Sequence, residues 1–149
     1  MKVKQYQQMD LMECVNVFMQ VCNQEPWNDS WIESTAERYL KDITLTPGFL
    51  GITIIQNETI VGFVFGVIRH WWSGDEFFIH EMCVRSDLQN SGIGSILLQT
   101  LEEELINAKV GNITLLTDRN IPAETFYKKF GFSAVERLVF LNKNLDYNR

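Results

Sequence analysis

The sequence predicts a mixed α/β domain, a mostly antiparallel twisted sheet with one β-α-β crossover near its centre and about four helices. Three observations lead there. Two β-rich runs, Phe49–Gln56 and Thr59–Arg69, are separated only by Asn57-Glu58, the pattern of an antiparallel hairpin. The run "FFIHEMCV" at 77–84 is followed by helical periodicity and then by "GNITLLT". That strand-helix-strand order favours one parallel pair. Finally, four stretches carry the three- and four-residue apolar spacing or the start and stop signals of helices.

In chain order the elements read β-α-α-β-β-β-α-β-α-β-β. Residues 2–7 form an edge strand. Asp10 and Glu13 have capping-box spacing, and Leu11, Cys14, Val15, Phe18 and Cys22 make a helical stripe. "EPWNDSW" is a turn-rich loop with two tryptophans. Ser30 and Glu33 repeat the capping-box spacing for a helix over 31–43, which Pro47-Gly48 ends. Gly62 and Gly66 in the return strand of the hairpin mark bulges or close packing. "HWWSGDE" is a loop, and 77–84 reads as a central strand covered on both faces. Helices over 92–107 and 121–130 flank "GNITLLT", and Gly131 stops the second. "FSAVE" and "RLVFLNKNL" read as two final strands.

A chain of 149 residues with 46% hydrophobic content fits one domain spanning 1–149. Its longest apolar runs are too short to span a bilayer, so no membrane partner is expected. "MKVKQYQQMD" carries no apolar signal-peptide core. Cys14, Cys22 and Cys83 are odd in number and show no C-x-x-C spacing. Reduced thiols in a cytoplasmic protein, with no metal site, are the expectation. The net charge of −6 opposes nucleic acid as a partner and suits a cationic one.

The run "LQNSGIGSILLQTLEEEL" places Gln89, Gly92 and Gly94 between a strand and the first turn of a helix. A helix N-terminus offers backbone N–H groups without helical partners and a partial positive charge, and both favour an anion. Glycine lets that anion come close to the backbone. The donors would be the amides of Gln89, Asn90, Ser91, Gly92, Ile93, Gly94 and Ser95. No lysine follows Gly94, so this is not a P-loop, and Leu97 stands where the dinucleotide fingerprint needs its third glycine. Tight strand-helix packing explains the turn alone equally well.

The surroundings add to it. "EMCVRSDLQNSGIGSILL" followed by "TDRNIPAETFYKKFGF" resembles the GCN5-related N-acetyltransferase (GNAT) family. Gln89, Gly92 and Gly94 match that family's pyrophosphate motif. Asn120, Ala123, Tyr127 and Gly131-Phe132 match its second motif. The resemblance covers essentially the whole chain and implies the GNAT fold, in which two parallel strands splay apart and acetyl-CoA lies in the opening. It implies that Met82, Cys83 and Val84 offer backbone groups to the pantetheine arm, and that Asn120 bonds the arm from the other side. Tyr127 would line the same cofactor site.

Acetyl transfer from a thioester to an amine needs a proton acceptor, an oxyanion donor and a proton source for the leaving thiolate. The resemblance makes Tyr127 the candidate acid. Glu81, on the strand beside the implied acetyl site, is the candidate base, and burial there would raise its pKa toward neutrality. A cleft carboxylate that holds the substrate cation is the alternative. On a regular strand His80 points away from Glu81. Some relatives carry a glutamate on the strand before the asparagine motif. Here that stretch is "TLLTD", with Leu115 and Leu116 near the place. Cys83 suits a small buried thiol better than an acyl carrier, because transfer in the family is direct. Arg85, Lys128 and Lys129 are candidates for the CoA phosphates.

In this fold the acceptor pocket comes from the early helices and the loop before the fourth strand. Those pieces hold Trp27, Trp31, Trp71 and Trp72 beside Glu25, Asp29, Asp75 and Glu76. Trp27, Trp31, Trp72, Glu76 and Glu81 are the expected substrate-binding residues, since aromatics beside carboxylates can cradle a cation. "EPWND", "PGF", "EMCV" and "FYKKFGF" look, more loosely, like aminoglycoside 6′-N-acetyltransferase relatives. The expected reaction is acetyl-CoA-dependent acetylation of a primary amine on a small cationic acceptor, aminoglycoside- or polyamine-like. Acetylation of a protein N-terminus or lysine is the alternative within the class, and a non-catalytic CoA-binding regulatory module is the alternative outside it. Relatives often form homodimers.

Overall fold

The β-branched and aromatic runs become strands, and a two-residue turn sets their register. In the computed structural model, which describes residues 1–146, β1 (Lys2–Gln5), β2 (Phe49–Gln56), β3 (Thr59–Arg69), β4 (Glu76–Val84) and β5 (Asn112–Leu115) form one sheet in the order β1-β2-β3-β4-β5. The first three pairings are antiparallel and β4–β5 is parallel. Asn57 and Glu58 both have positive φ, 52° and 66°. Such turns twist with their flanking strands and hold them in register. The parallel pair is connected through α3 (Ile93–Asn107), as a crossover requires.

Two irregularities decide which residues face which way. Ile54 pairs with Gly62 and Ile55 with Ile60, so Val61 is an extra residue in β3. Phe65 pairs with Glu81 and Gly66 with Ile79, so His80 is an extra residue in β4. Side chains alternate along a strand, and one inserted residue reverses the alternation beyond it. Phe77 and Ile79 therefore lie on one face of the sheet, and Glu81 and Cys83 on the other.

Two helices cover the face of Glu81 and Cys83. They are α1 (Leu11–Cys22) and α2 (Glu33–Thr44). Cys14, Val15, Phe18 and Cys22 of α1 and Ala36, Leu40 and Ile43 of α2 pack there with Ile60, Phe63, Phe65 and Cys83. Helix α3 covers the other face with Ile93, Leu97, Leu98, Leu101 and Leu105, all buried. Gly66 is needed for contact: a Cβ there would stand 2.3 Å from the Phe77 ring and 2.4 Å from the Phe78 carbonyl oxygen.

Both expected capping boxes resolve differently. The Asp10 carboxylate accepts from the Gln7 amide at 2.8 Å and pairs with Lys4. Glu13 reaches across to accept the Ile60 amide at 2.9 Å, beside the β3 bulge that loosens the ladder there. Helix α2 begins at Glu33, with Ile32 as its cap, and the Ile32 amide donates to Thr35 Oγ1 at 3.2 Å. Ser30 plays no part in that cap because the preceding loop is folded back on α1.

Contacts divide the chain into Met1–Leu116, which holds the sheet, and Thr117–Arg149. The second unit is organised by α4 (Pro122–Lys129), which has proline in its first turn and Gly131 at φ 92° just past its end. The expected strands "FSAVE" and "RLVFLNKNL" are not formed among the described residues. Val135, Leu138, Val139, Phe140, Leu141 and Leu145 are exposed instead, at 51% or more of their surface. Strand propensity supplies no hydrogen bonds of its own, and a strand forms only against a ladder partner. Among the described residues no helix is long and apolar enough to cross a membrane.

Candidate active site

Glu81 sits mostly buried on β4, and its carboxylate Oε1 accepts a 2.7 Å hydrogen bond from the Tyr39 hydroxyl of α2. Burial raises the Glu81 pKa to about 7, because a buried carboxylate loses its water. The Tyr39 bond works against that by stabilising the charged form, and the Asp29 carboxylate adds to the rise by repulsion. Tyr39 is held strongly protonated by burial and by Glu81. Its ring stacks on Trp31 with centroids 5.3 Å apart, and Trp31 meets Phe18 edge-on at 5.0 Å.

Trp31 is itself fixed. Asn23, just past α1, accepts from the Trp31 amide at 2.8 Å and donates to the Trp31 carbonyl at 2.9 Å. The Trp31 indole N–H donates to Asp29 at 3.0 Å. Trp27 packs against the same core cluster. Of the expected acceptor residues, Trp31 and Glu81 are therefore brought together, with Asp29 near them. Glu76 and Trp72 are not. Glu76 starts β4, five residues and about 15 Å of strand from Glu81, and pairs with Arg69 at 2.9 Å. Trp72 is 90% exposed in the loop before it.

The β4–β5 ladder ends at Ile79 and Leu115, while β4 runs on to Val84. Met82, Cys83 and Val84 keep their β3 partners Val64, Phe63 and Gly62 but lie beyond the last β5 pairing. On the β5 side their backbone has no ladder partner. The Cys83 side chain is buried, and a Cys22 contact together with burial holds its thiol protonated, which makes it a poor nucleophile. His80 is the bulged residue, so the regular-strand premise for its direction does not hold. It meets Phe78 edge-on at 4.8 Å, and burial lowers its pKa.

After β4 the chain makes a short 3-10 turn, Ser86–Leu88, and then a tight exposed loop. Arg85 pairs with Asp87 through two bonds, at 2.7 and 2.9 Å. Gln89 Nε2 donates to the Val84 carbonyl at 3.1 Å, and Ser91 bonds the Leu88 carbonyl. Asn90 and Gly92 are both left-handed, at φ 65° and 90°. Gly92 is the N-cap of α3, and its carbonyl takes the first helical bond from Ile96 at 3.1 Å. The amides of Ile93, Gly94 and Ser95 therefore start the helix without intrahelical acceptors. No acidic residue stands in that first turn to compete with an anion for these amides.

In the second unit, Asn120 is left-handed at φ 62°, and its amide donates to Glu124 at 2.8 Å. Glu124 also pairs with Lys128 at 3.1 Å. The Tyr127 ring meets Phe126 and Phe132 at centroid distances of 5.3 and 5.4 Å, and its carbonyl accepts the Phe132 amide at 3.2 Å. These contacts hold Tyr127 in place on α4.

Sequence reasoning missed Tyr39. Its signal was there: Ala36, Tyr39, Leu40 and Ile43 share one helix face, and a tyrosine within an apolar stripe needs a partner for its hydroxyl.

The fold is shared with known proteins. No curated protein sequence matches significantly. Solved structures share the fold at low identity. One is described as a transcriptional regulator from Bacillus halodurans, 20% identical, TM-score 0.77, covering 97% of this chain and 99% of its own. Another is an aminoglycoside acetyltransferase from an uncultured soil metagenomic sample in complex with sisomicin, 17% identical, TM-score 0.77, covering 97% and 96%. A third is an aminoglycoside 6′-N-acetyltransferase from Acinetobacter haemolyticus, 16% identical, TM-score 0.75, covering 98% and 100%. The family model of the acetyltransferase (GNAT) family matches residues 13–132, most of the chain. This protein is therefore a member of the GNAT family of acetyltransferases.

Proposed function

We propose that the chain transfers an acetyl group from acetyl-CoA directly to a primary amine of a small cationic acceptor, aminoglycoside- or polyamine-like. The observation that carries this is Glu81, a carboxyl poised near neutrality between the Tyr39 hydroxyl and the Asp29 charge, beside the stacked Trp31. An amine arrives protonated and must lose a proton before its lone pair can attack. Glu81 takes that proton, and a pKa near the working pH suits the task. The amine nitrogen then bonds to the thioester carbonyl carbon, the carbon–sulfur bond breaks, and the nitrogen gives up its second proton to solvent as the neutral amide forms. Tyr127, by its place in the second motif, protonates the departing thiolate.

Three parts of the chain suit the donor. Met82, Cys83 and Val84 offer unladdered backbone to the pantetheine arm. Gln89, Asn90, Ser91, Gly92, Ile93, Gly94 and Ser95 form the turn and helix start for the pyrophosphate. Asn120 completes the set by its place in the second motif.

Asp29, Trp31 and Glu81 supply negative charge and an aromatic face for a cation. The aminoglycoside acetyltransferases that share the fold support the same acceptor class. The reading includes a single catalytic domain over 1–149, a cytoplasmic location and a homodimer. The exposed apolar run from Leu138 to Leu141 supports a second copy as partner.

The test is CoA release measured across a panel of amines of similar size. Polycationic amines should react best, and their KM should rise with ionic strength. Equal rates on a neutral peptide N-terminus, without salt dependence, would move the function to protein acetylation. Acetyl-CoA binding without turnover on any amine would move it to a regulatory module.

A further inference from the structure

Cys22, the last residue of α1, and Glu81 and Cys83, two apart on β4, bring their ligand atoms within 4.8 Å of one another. Cys22 and Cys83 are 8% and 3% exposed, and Glu81 is the partly open member. We propose that these three side chains form a binding site for a thiophilic divalent cation of the zinc class, which shuts off the enzyme by occupying Glu81.

The geometry supports it in three ways. A tetrahedral zinc ion holds sulfur at about 2.3 Å and carboxylate oxygen at about 2.0–2.2 Å, so neighbouring ligand atoms stand roughly 3.5–3.8 Å apart. The cluster needs to contract by at most about 1 Å. The three ligands come from a helix end and a strand, not from loops, so their spacing is held by the core. The carboxylate also has a supporting partner: Tyr39 bonds Oε1 and is locked by Trp31, which holds the carboxylate in orientation.

On binding, the two thiol protons leave to solvent, together with the carboxyl proton where Glu81 still carries it. Two metal–sulfur bonds and one metal–oxygen bond form, water fills the fourth position, and no electron is transferred. Two thiolates select against magnesium and calcium, which take oxygen ligands.

The shut-off rests on Glu81 as the base; the metal site does not. The test titrates Co²⁺ alone into the fully reduced full-length protein and follows absorbance. One equivalent should bind, with a sulfur-to-cobalt charge-transfer band and visible bands of a tetrahedral site. Zn²⁺ should abolish them, and excess Mg²⁺ should not. Cys22→Ser and Cys83→Ser should each weaken binding by about a hundredfold or more, and Tyr39→Phe by about ten- to a hundredfold as an outer-shell partner. Cys14→Ser, which alters a buried thiol outside the cluster, should leave the spectrum unchanged. Folding of each variant is checked by circular dichroism. Absence of the charge-transfer band in folded wild type, or its persistence in Cys22→Ser and Cys83→Ser, would overturn the site. If Co²⁺ binds as stated while turnover continues at saturation, the site stands and Glu81 is not the base.

Discussion

The Tyr39 hydroxyl donates to Glu81 Oε1 at 2.7 Å, tying α2 to the strand that carries the candidate base. The bond favours the charged carboxylate and so holds the Glu81 pKa below what burial alone would set. Removing it in Tyr39→Phe raises that pKa. A hydrogen bond to a charged group is worth roughly 1.5–3 kcal/mol, and one pH unit is about 1.4 kcal/mol. The acidic limb of kcat/KM should therefore move up by about one to two pH units. An unmoved limb would mean that another group sets it.

Glu81 also writes a pH dependence into stability. Its folded pKa of about 7 lies above the ordinary 4.5, so the protonated form is the one that folding favours. This contribution is complete below about pH 4.5 and is lost as the pH rises through 7. Glu81→Gln keeps an acceptor for Tyr39 and removes the titration. Between pH 5 and pH 8 the wild type should lose up to about 3 kcal/mol relative to the variant. Denaturant unfolding at several pH values measures it. Parallel curves for the two proteins would show that the carboxyl is not raised.

At Gly92 the backbone, not space, is limiting. A Cβ there meets nothing within 4 Å, but φ is 90°. Gly92→Asn suits a left-handed backbone better than most side chains, whereas Gly92→Asp adds a negative charge at the helix start. Acetyl-CoA should bind much more weakly to the Asp variant than to the Asn variant, with similar melting temperatures. Calorimetry decides; equal affinities would remove the pyrophosphate from this turn.

Gly66 is a packing site. With a Cβ placed at 2.3 Å from the Phe77 ring and 2.4 Å from a carbonyl, Gly66→Ala must displace β4 backbone. Overpacking of this kind costs about 1–3 kcal/mol. The variant should melt several degrees lower. A wild-type melting temperature would show that β3 and β4 are less tightly joined than these distances imply.

Tyr127→Phe keeps the ring that packs between Phe126 and Phe132. If the hydroxyl is the acid, kcat should fall by about a hundred- to ten-thousandfold with acetyl-CoA affinity unchanged. A loss within threefold assigns the proton to another source.

Much of this was legible from residues. The bounds of β2 and β3 followed from β-branched content and the Asn57-Glu58 pair, because local propensity and turn chemistry agree there. The glycine turn was readable because an exposed left-handed residue ahead of a helix calls for glycine. What was not legible depends on partners. "FSAVE" and "RLVFLNKNL" have strand composition, yet a ladder requires a neighbour that composition does not name. Glu13 and Asp10 looked like a cap, but the β3 bulge offered Glu13 a freer amide. Tyr39 and Cys22 reach Glu81 only through tertiary packing, so no spacing in the sequence joins them.

The extra residue at His80 has a genetic consequence. It sets the parity of β4, placing Glu81 and Cys83 on the side opposite to Phe77 and Ile79. Loss of that single codon would leave the strand's composition and length almost unchanged. Ile79 and Glu81 would then be direct neighbours, and ordinary alternation would keep them on opposite faces, each against its present β3 partner. A mutational scan that includes single-residue deletions should therefore find position 80 more forgiving than Met82, whose loss would put Cys83 on the face opposite to Glu81.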